Sequence, residues 1–186
     1  MELRTKMQKE LSATDQNFTT FVKDIKSKIL SSQYEALKSV NKELISLYWD
    51  IGKDIVIKQE AFGWGKSVVK NLSQELQKEF VGMKGFSVQN LWNMRLFYME
   101  YSKNEKLQTL SREIGWSHNV AIFQKAKDEL EREFYIKMAI KFGWSYRVLD
   151  NQIDNNLKLN INNLSLSMDG IGEFVTWYRK FYGAKN

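Results

Sequence analysis

The chain has 186 residues, a formal net charge of +6, and neither cysteine nor proline. Hydrophobic residues make up 43% and charged residues 27%, which is the balance of a globular protein. A chain of this length can bury a hydrophobic core without disulfides or structural metals. The absence of cysteine excludes disulfides, thiol catalysis and cysteine-ligated zinc.

The N-terminal segment, residues 1–32, is predicted to form a helical extension. Ser12 and Asp15 have the spacing of a capping box, and the apolar residues from Phe18 to Ile29 recur at helical intervals. The charged start "MELRTKMQKE" lacks the apolar segment of a signal peptide. No apolar run is long enough to span a bilayer, so we expect a cytoplasmic protein without a membrane partner.

Residues 33–156 are predicted to form the main domain, and glycine-aromatic breaks divide its helices. The breaks are "FGWG", "KGFS", "IGWS" and "FGWS", beginning at residues 62, 84, 114 and 142. In each break a glycine is expected to end one helix in the left-handed conformation. Ser87, Ser117 and Ser145 are expected to cap the helix that follows.

The apolar spacing between these breaks is helical throughout, so the sequence predicts an all-α fold. The predicted helices cover residues 33–60, 66–80, 88–101, a short stretch after Ser117, 129–142 and 146–157. Residues 157–186 are predicted to form a divergent tail. Its alternating "LKLNINNLSLSM" suits a short strand or an irregular loop, and its aromatic end suits a small helix.

A basic stripe is predicted on the helix that starts at Lys66. Residues 62–103 carry six Lys or Arg against three Glu, which is half of the net charge in under a quarter of the chain. On a helical wheel Val69, Leu72, Leu76 and Phe80 form one face. The opposite face carries Lys66, Lys70, Gln74 and Lys78. Such a stripe is either a solvated lysine face or the contact surface for an anionic partner.

The stretch "KGFSVQNLWNMRLFY", residues 84–98, has two interpretations that the residues leave open. The helix after Ser87 is apolar around most of its circumference, as expected of a core helix. Its first turns carry Gln89, Asn90 and Asn93, which are amides of the kind that pair with adenine at the start of a recognition helix.

Other chemistry has little support in the sequence. His118 is the only histidine, which precludes a multi-histidine metal site, and we expect it to be structural or to touch phosphate. The fragment "GWGKS", residues 63–67, lacks the upstream glycine of a nucleotide-binding loop and is at most an anion contact. The sequence predicts no cofactor.

A connected series of motifs over roughly residues 33–155 resembles the N-terminal domain of the YhcG-like family. The matching stretches include "NKELISLYWDIGK", "GWGKSVV", "LSQELQKEFVGMKGFS", "NLWNMRLFY" and "EREFYIKMAIKFGWSYRVLDNQID". The resemblance implies a multi-helix domain with a helix-turn-helix-like or winged-helix-like core, suspected of DNA binding. It also implies an association with a nuclease domain of the PD-(D/E)XK type.

The nuclease activity of that family is not carried over to this chain. A nuclease of this type needs an Asp and a Glu-x-Lys or Asp-x-Lys on strands to hold a divalent metal. The one local pattern, "DIK" at 24–26, lies in a predicted helix without a companion acid. The sequence also ends about where the nuclease domain would begin. We therefore expect a non-catalytic chain without a metal site.

Two functions from different classes follow. The first is a DNA-binding module whose partner is duplex DNA. The second is a protein-interaction or dimerisation module that recruits or regulates a separate nuclease, with a second copy or a nuclease subunit as partner. The predicted nucleic-acid-binding residues are Lys66, Lys70, Lys78, Lys84, Ser87, Gln89, Asn90, Asn93 and Arg95.

Overall fold

The computed structural model describes residues 2–63 and 65–155, and it describes side chains for 16–63, 65 and 67–155. Within these ranges there are seven α-helices and no β-strand. The helices are α1 (Glu2–Phe62), α2 (Lys66–Glu79), α3 (Val88–Tyr101), α4 (Glu105–Ser111), α5 (Trp116–Lys125), α6 (Glu129–Phe142) and α7 (Tyr146–Asp154). The predicted all-α class is confirmed, and the predicted tail 157–186 lies outside the described residues.

Helix α1 is one continuous helix of 61 residues, where the sequence predicted two. Residues 1–51 contain no glycine or proline, so no residue near position 31 can readily end a helix. The helix ends at Phe62 and is followed by Gly63, whose φ is +61°. The described residues divide into two units between Leu44 and Ile45, and the predicted boundaries after residues 32 and 156 stay predictions.

The core of the second unit is built around α3. Leu91, Met94, Phe97 and Tyr101 of this helix are fully buried. The ring of Trp116 at the start of α5 contacts Phe97 edge-on, with the centroids 5.4 Å apart. The rest of the cluster comes from the second half of α1 and from α4 to α7. Because α3 is buried on several sides, only its first turns and a narrow strip of its surface can meet a partner.

Helices α1 and α3 cross at very close range at Gly52. A Cβ atom built on Gly52 would lie 2.1 Å from the carbonyl oxygen of Met94. Only glycine permits this approach, because any side chain would collide with the α3 backbone. The crossing sets how α3 sits on the second half of α1.

The helix starts show which capping predictions hold. Ser87 and Ser145 are N-caps whose hydroxyls accept backbone N–H bonds, as predicted. The Ser117 prediction is wrong, because α5 begins one residue earlier and Gly115 is its N-cap. Gly115 has a φ of −68°, so the expected left-handed conformation does not occur there. Helix α4 was not predicted; its N-cap is Asn104, whose side chain accepts from the Leu107 N–H.

None of the helices within 2–63 and 65–155 is both long enough and apolar enough to cross a membrane.

Candidate nucleic-acid interface

Helix α2 is amphipathic and presents its polar face to solvent. Val69 is buried, and Leu72 and Leu76 are half-buried. Lys70, Gln74 and Lys78 follow one another at four-residue intervals and are exposed. Phe80, predicted on the apolar face, follows the helix as its C-cap and remains 46% exposed. The side chain of Lys66 lies outside the described residues.

The loop between α2 and α3, residues 80–87, is fastened to α2 at its far end. The Ser73 hydroxyl is buried and donates to the carbonyl of Phe86 over 2.7 Å. The Gln77 amide donates to the same carbonyl over 3.1 Å and to the Ser73 hydroxyl over 2.7 Å. Lys84 is exposed in this loop, so its ammonium group is carried by an anchored segment.

Gly85, next to Lys84, occupies a position that only glycine tolerates. Its φ is +114°, and a Cβ atom there would lie 2.4 Å from the Tyr48 hydroxyl oxygen. The loop backbone therefore lies close against the Tyr48 ring at Gly85, two residues before the N-cap of α3. Burial raises the pKa of Tyr48 above its ordinary value, so its hydroxyl stays protonated in the folded protein.

The start of α3 is held by Ser87 and Asn90. The Ser87 hydroxyl accepts from the Asn90 N–H over 3.2 Å. The Asn90 side-chain amide donates to the Gly85 carbonyl over 2.6 Å, and its oxygen accepts from the Trp116 indole over 2.7 Å. Both ends of this amide are therefore engaged in the fold, and Asn90 supports the turn.

Gln89 and Asn93 lie one turn apart and form a surface amide cluster with Gln124 of α5. The Gln89 amide donates to the Asn93 oxygen over 3.4 Å, and the Gln124 amide donates to the same oxygen over 3.0 Å. Sequence reasoning missed Gln124, because it lies 31 positions from Asn93 and only the packing of α5 on α3 brings them together. The name amide cluster is used below for these three residues.

Arg95 is engaged with α1 and with its own helix. Its Nε donates to the Gln59 side-chain oxygen over 2.6 Å, and its guanidinium lies 5.6 Å from the centre of the Trp92 ring. Arg95 is half-buried, so the structure ties it to the α1–α3 packing. It is a weaker candidate for phosphate contact than the exposed lysines.

The connection between α2 and α3 is longer than a helix-turn-helix turn. It spans eight residues, 80–87, whereas the motif uses a turn of about three to four. Shorter connections of the expected length occur at 112–115, between α4 and α5, and at 143–145, between α6 and α7. The helix-turn-helix core therefore stays a prediction.

His118 has a structural contact. Its Nε2 lies 2.7 Å from the Trp144 carbonyl and donates to it, which joins α5 to the turn between α6 and α7. Within the described residues, no group of three or more His, Cys, Asp or Glu is arranged to hold a metal ion.

Comparison with known proteins gives the family. Residues 24–158 match the family described as the DUF1016 N-terminal domain, and the chain belongs to this family. The Escherichia coli K-12 protein named "Putative nuclease YhcG" is 28% identical over 155 residues, an alignment covering 66% of this chain. That alignment covers 41% of the YhcG protein, so the chain spans less than half of this relative. No solved structure matches.

Proposed function

We propose that this chain is a non-catalytic DNA-binding module of a YhcG-like, nuclease-associated protein. The observation that carries the proposal is the sequence of exposed groups along α2 and the start of α3. Lys70 and Lys78 lie on the open face of α2, Lys84 lies in an anchored loop, and the amide cluster follows. Cationic groups beside surface amides suit phosphate contact next to base edges.

The lysines supply the phosphate contacts in this proposal. Lys70 and Lys78 are separated by two helical turns, about 12 Å along the helix axis. Phosphates of one DNA strand follow one another every 3.4 Å or so along the duplex axis, so the two ammonium groups can reach different phosphates. Lys84 adds a third positive charge beside the N-terminus of α3, where the helix dipole also favours an anion.

The amide cluster supplies the base contacts. Amides pair bidentately with adenine in the major groove, and the first turns of a helix are the part that reaches base edges. Gln89 and Asn93 are the residues of α3 that meet this requirement, and Gln124 orients Asn93. Ser87 and Asn90 act as positioning residues, because they fix the turn that presents Gln89.

The proposed role is non-catalytic. Any nuclease step of the assembly is assigned to a separate PD-(D/E)XK domain or subunit, and this chain delivers it to duplex DNA. The name of the Escherichia coli relative and the resemblance of the motifs support a link to nuclease function.

The test is fluorescence anisotropy of a labelled duplex titrated with the protein at low and moderate salt. The test variant is Lys70→Ala/Lys78→Ala/Lys84→Ala. We expect binding in the micromolar range or tighter for the wild type, and at least a tenfold loss in the variant because three phosphate contacts disappear.

A matched control removes the same charge elsewhere. Lys103, Lys127 and Lys141 are exposed residues outside α2 and its loop, so Lys103→Ala/Lys127→Ala/Lys141→Ala should retain most of the affinity. Equal losses in both triple variants would mean that net charge alone drives binding. No binding of the wild type at low salt would refute the proposal for this chain.

A second candidate function is a protein-interaction or dimerisation module that recruits or regulates a separate nuclease. The observation that favours it is the number of large hydrophobic side chains that remain exposed along α1. The two functions are compatible, since many DNA-binding proteins dimerise to bind two half-sites.

A further inference from the structure

The first unit of the chain carries a long apolar face on α1. Eight large hydrophobic side chains between residues 18 and 40 are 38–71% exposed. They are Phe18, Phe21, Ile25, Ile29, Leu30, Tyr34, Leu37 and Val40. Hereafter these eight residues are called the α1 face. All of them belong to the unit that ends at Leu44.

The spacing of the α1 face suits a straight helical partner. Phe18, Ile29 and Val40 recur every 11 residues, which is three turns of a helix with 3.67 residues per turn. An 11-residue repeat keeps its side chains on one side of the helix with little drift, so a second helix can follow it for its full length. A second copy of the same segment has the required length and period by construction.

The area of the α1 face matches a stable interface. The three aromatic side chains offer roughly 150–250 Å² each and the five aliphatic ones less, so eight side chains that are about half exposed leave several hundred Å² open. Monomeric soluble proteins rarely expose apolar patches above a few hundred Å². A standard interface buries about 800 Å² on each partner, so pairing of two copies would cover a face of this size.

The charges of residues 18–40 favour a protein partner over a membrane or nucleic acid. The segment carries four lysines and two acids, Lys23, Lys26, Lys28 and Lys38 against Asp24 and Glu35, so both signs are present and the net charge is +2. A membrane-surface helix has a strongly basic polar face, whereas the two acids offset half of the lysines here. A mixed polar surface can lie beside its own copy without strong repulsion.

We propose that residues 18–40 of α1 pair with the same segment of a second copy, and that the protein is a homodimer through this helix. The inference identifies the surface required by the second candidate function and does not depend on DNA binding. A symmetric pairing uses the same face twice, which is the commonest arrangement of soluble homo-oligomers.

The test is sedimentation equilibrium of the whole chain without DNA, over concentrations up to about 100 µM, well above a micromolar Kd. We expect the wild type to approach twice its chain mass of 22.0 kDa. Ile29→Glu/Val40→Glu should raise the dimer Kd at least about tenfold, because it places one charge at the buried centre of the paired segment and a second at its end. Both side chains are more than half exposed in one copy, so the monomer should fold.

The matched control places the same two charges on the opposite side of the helix. Thr20→Glu/Ser31→Glu changes two exposed residues, also 11 positions apart, on the side of the helix opposite Ile29 and Val40, and should leave the dimer intact. A wild type that stays at 22.0 kDa throughout would overturn the proposal. A dimer that persists unchanged in Ile29→Glu/Val40→Glu would overturn it as well, because the interface would then lie elsewhere. DNA binding is measured separately, so each proposal can fail without the other.

Discussion

Adjacent residues of the first turns of α3 have different roles. Asn90 is held by the Gly85 carbonyl and the Trp116 indole, whereas Gln89 is exposed and donates to Asn93 of the amide cluster. Both were predicted to contact DNA because both are amides at the start of a helix. The structure separates them by their hydrogen-bond partners, and this difference can be measured.

We predict that Asn90→Ala and Gln89→Ala affect different properties. Asn90→Ala leaves the Trp116 indole N–H and the Gly85 carbonyl without a partner, so it should lower the free energy of unfolding by about 1–3 kcal/mol. Gln89→Ala should change stability by less than about 0.5 kcal/mol, yet weaken binding to a preferred duplex about tenfold. Urea unfolding and anisotropy titrations measure the two quantities. A stable Asn90→Ala variant with lost affinity would contradict the positioning role.

Tyr101 at the end of α3 should make stability depend on alkaline pH. Its side chain is fully buried, and burial raises the pKa of its hydroxyl above the ordinary value of 10.0. The folded state therefore keeps the proton while the unfolded state loses it above pH 10. The contribution of Tyr101 is fully present below pH 10 and is lost as the pH rises from there toward the folded-state pKa, by up to about 1.4 kcal/mol per pH unit.

Tyr101→Phe should remove this part of the alkaline decline. At neutral pH the substitution should be neutral or stabilising, because among the described residues the Tyr101 hydroxyl has no hydrogen-bond partner. Free energies of unfolding from urea titrations between pH 8 and 11 or so give the comparison. Tyr146→Phe, which removes a more exposed hydroxyl, is the matched control and should keep the wild-type profile. Identical profiles for all three proteins would contradict the assignment.

At the scale of the elements, local sequence patterns predicted most of the helices. Contacts between helices distant in sequence determine which side chains are held in the fold. Helices α2, α3, α6 and α7 start where the sequence placed them, because a capping or glycine-rich break precedes each one. Helix α4 was not predicted, because seven residues are too few to show a helical spacing of apolar residues. The engagement of Asn90 by Trp116 joins residues 26 positions apart, which no local pattern reveals.

The crossing of α1 and α3 makes Gly52→Ala an informative substitution. In an open helical position, alanine in place of glycine stabilises a helix by about 1 kcal/mol. Here a Cβ atom would lie 2.1 Å from the Met94 carbonyl oxygen, and the two backbones would have to separate. We therefore expect a loss of about 1–3 kcal/mol or more, as in other overpacked cores. Urea unfolding measures whether the free energy of unfolding falls or rises. A stabilised variant would show that α3 does not lie this close to α1.

At the scale of the whole molecule, the sequence predicted a basic region and its family, but not which groups remain available. Half of the net charge falls within 62–103, and Lys70 and Lys78 on α2 and Lys84 in its loop are exposed. Arg95 lies in the same region, but it contacts Gln59 and Trp92, and only the packing of α3 on α1 brings Arg95 to Gln59. The proposed electrostatic contact consequently rests on Lys70, Lys78 and Lys84.

The salt dependence of DNA binding should report these three contacts directly. Each phosphate that a lysine neutralises releases condensed counterions, so log K should fall against log salt with a slope of about −2.7 for three contacts. Each of Lys70→Ala, Lys78→Ala and Lys84→Ala should reduce the magnitude of the slope by about 1. Lys103→Ala should leave it unchanged, since Lys103 is exposed but lies outside α2 and its loop. Anisotropy titrations between about 50 and 200 mM salt give the slopes. If all four variants keep the wild-type slope, the phosphates are bound elsewhere and α2 is only a solvated face.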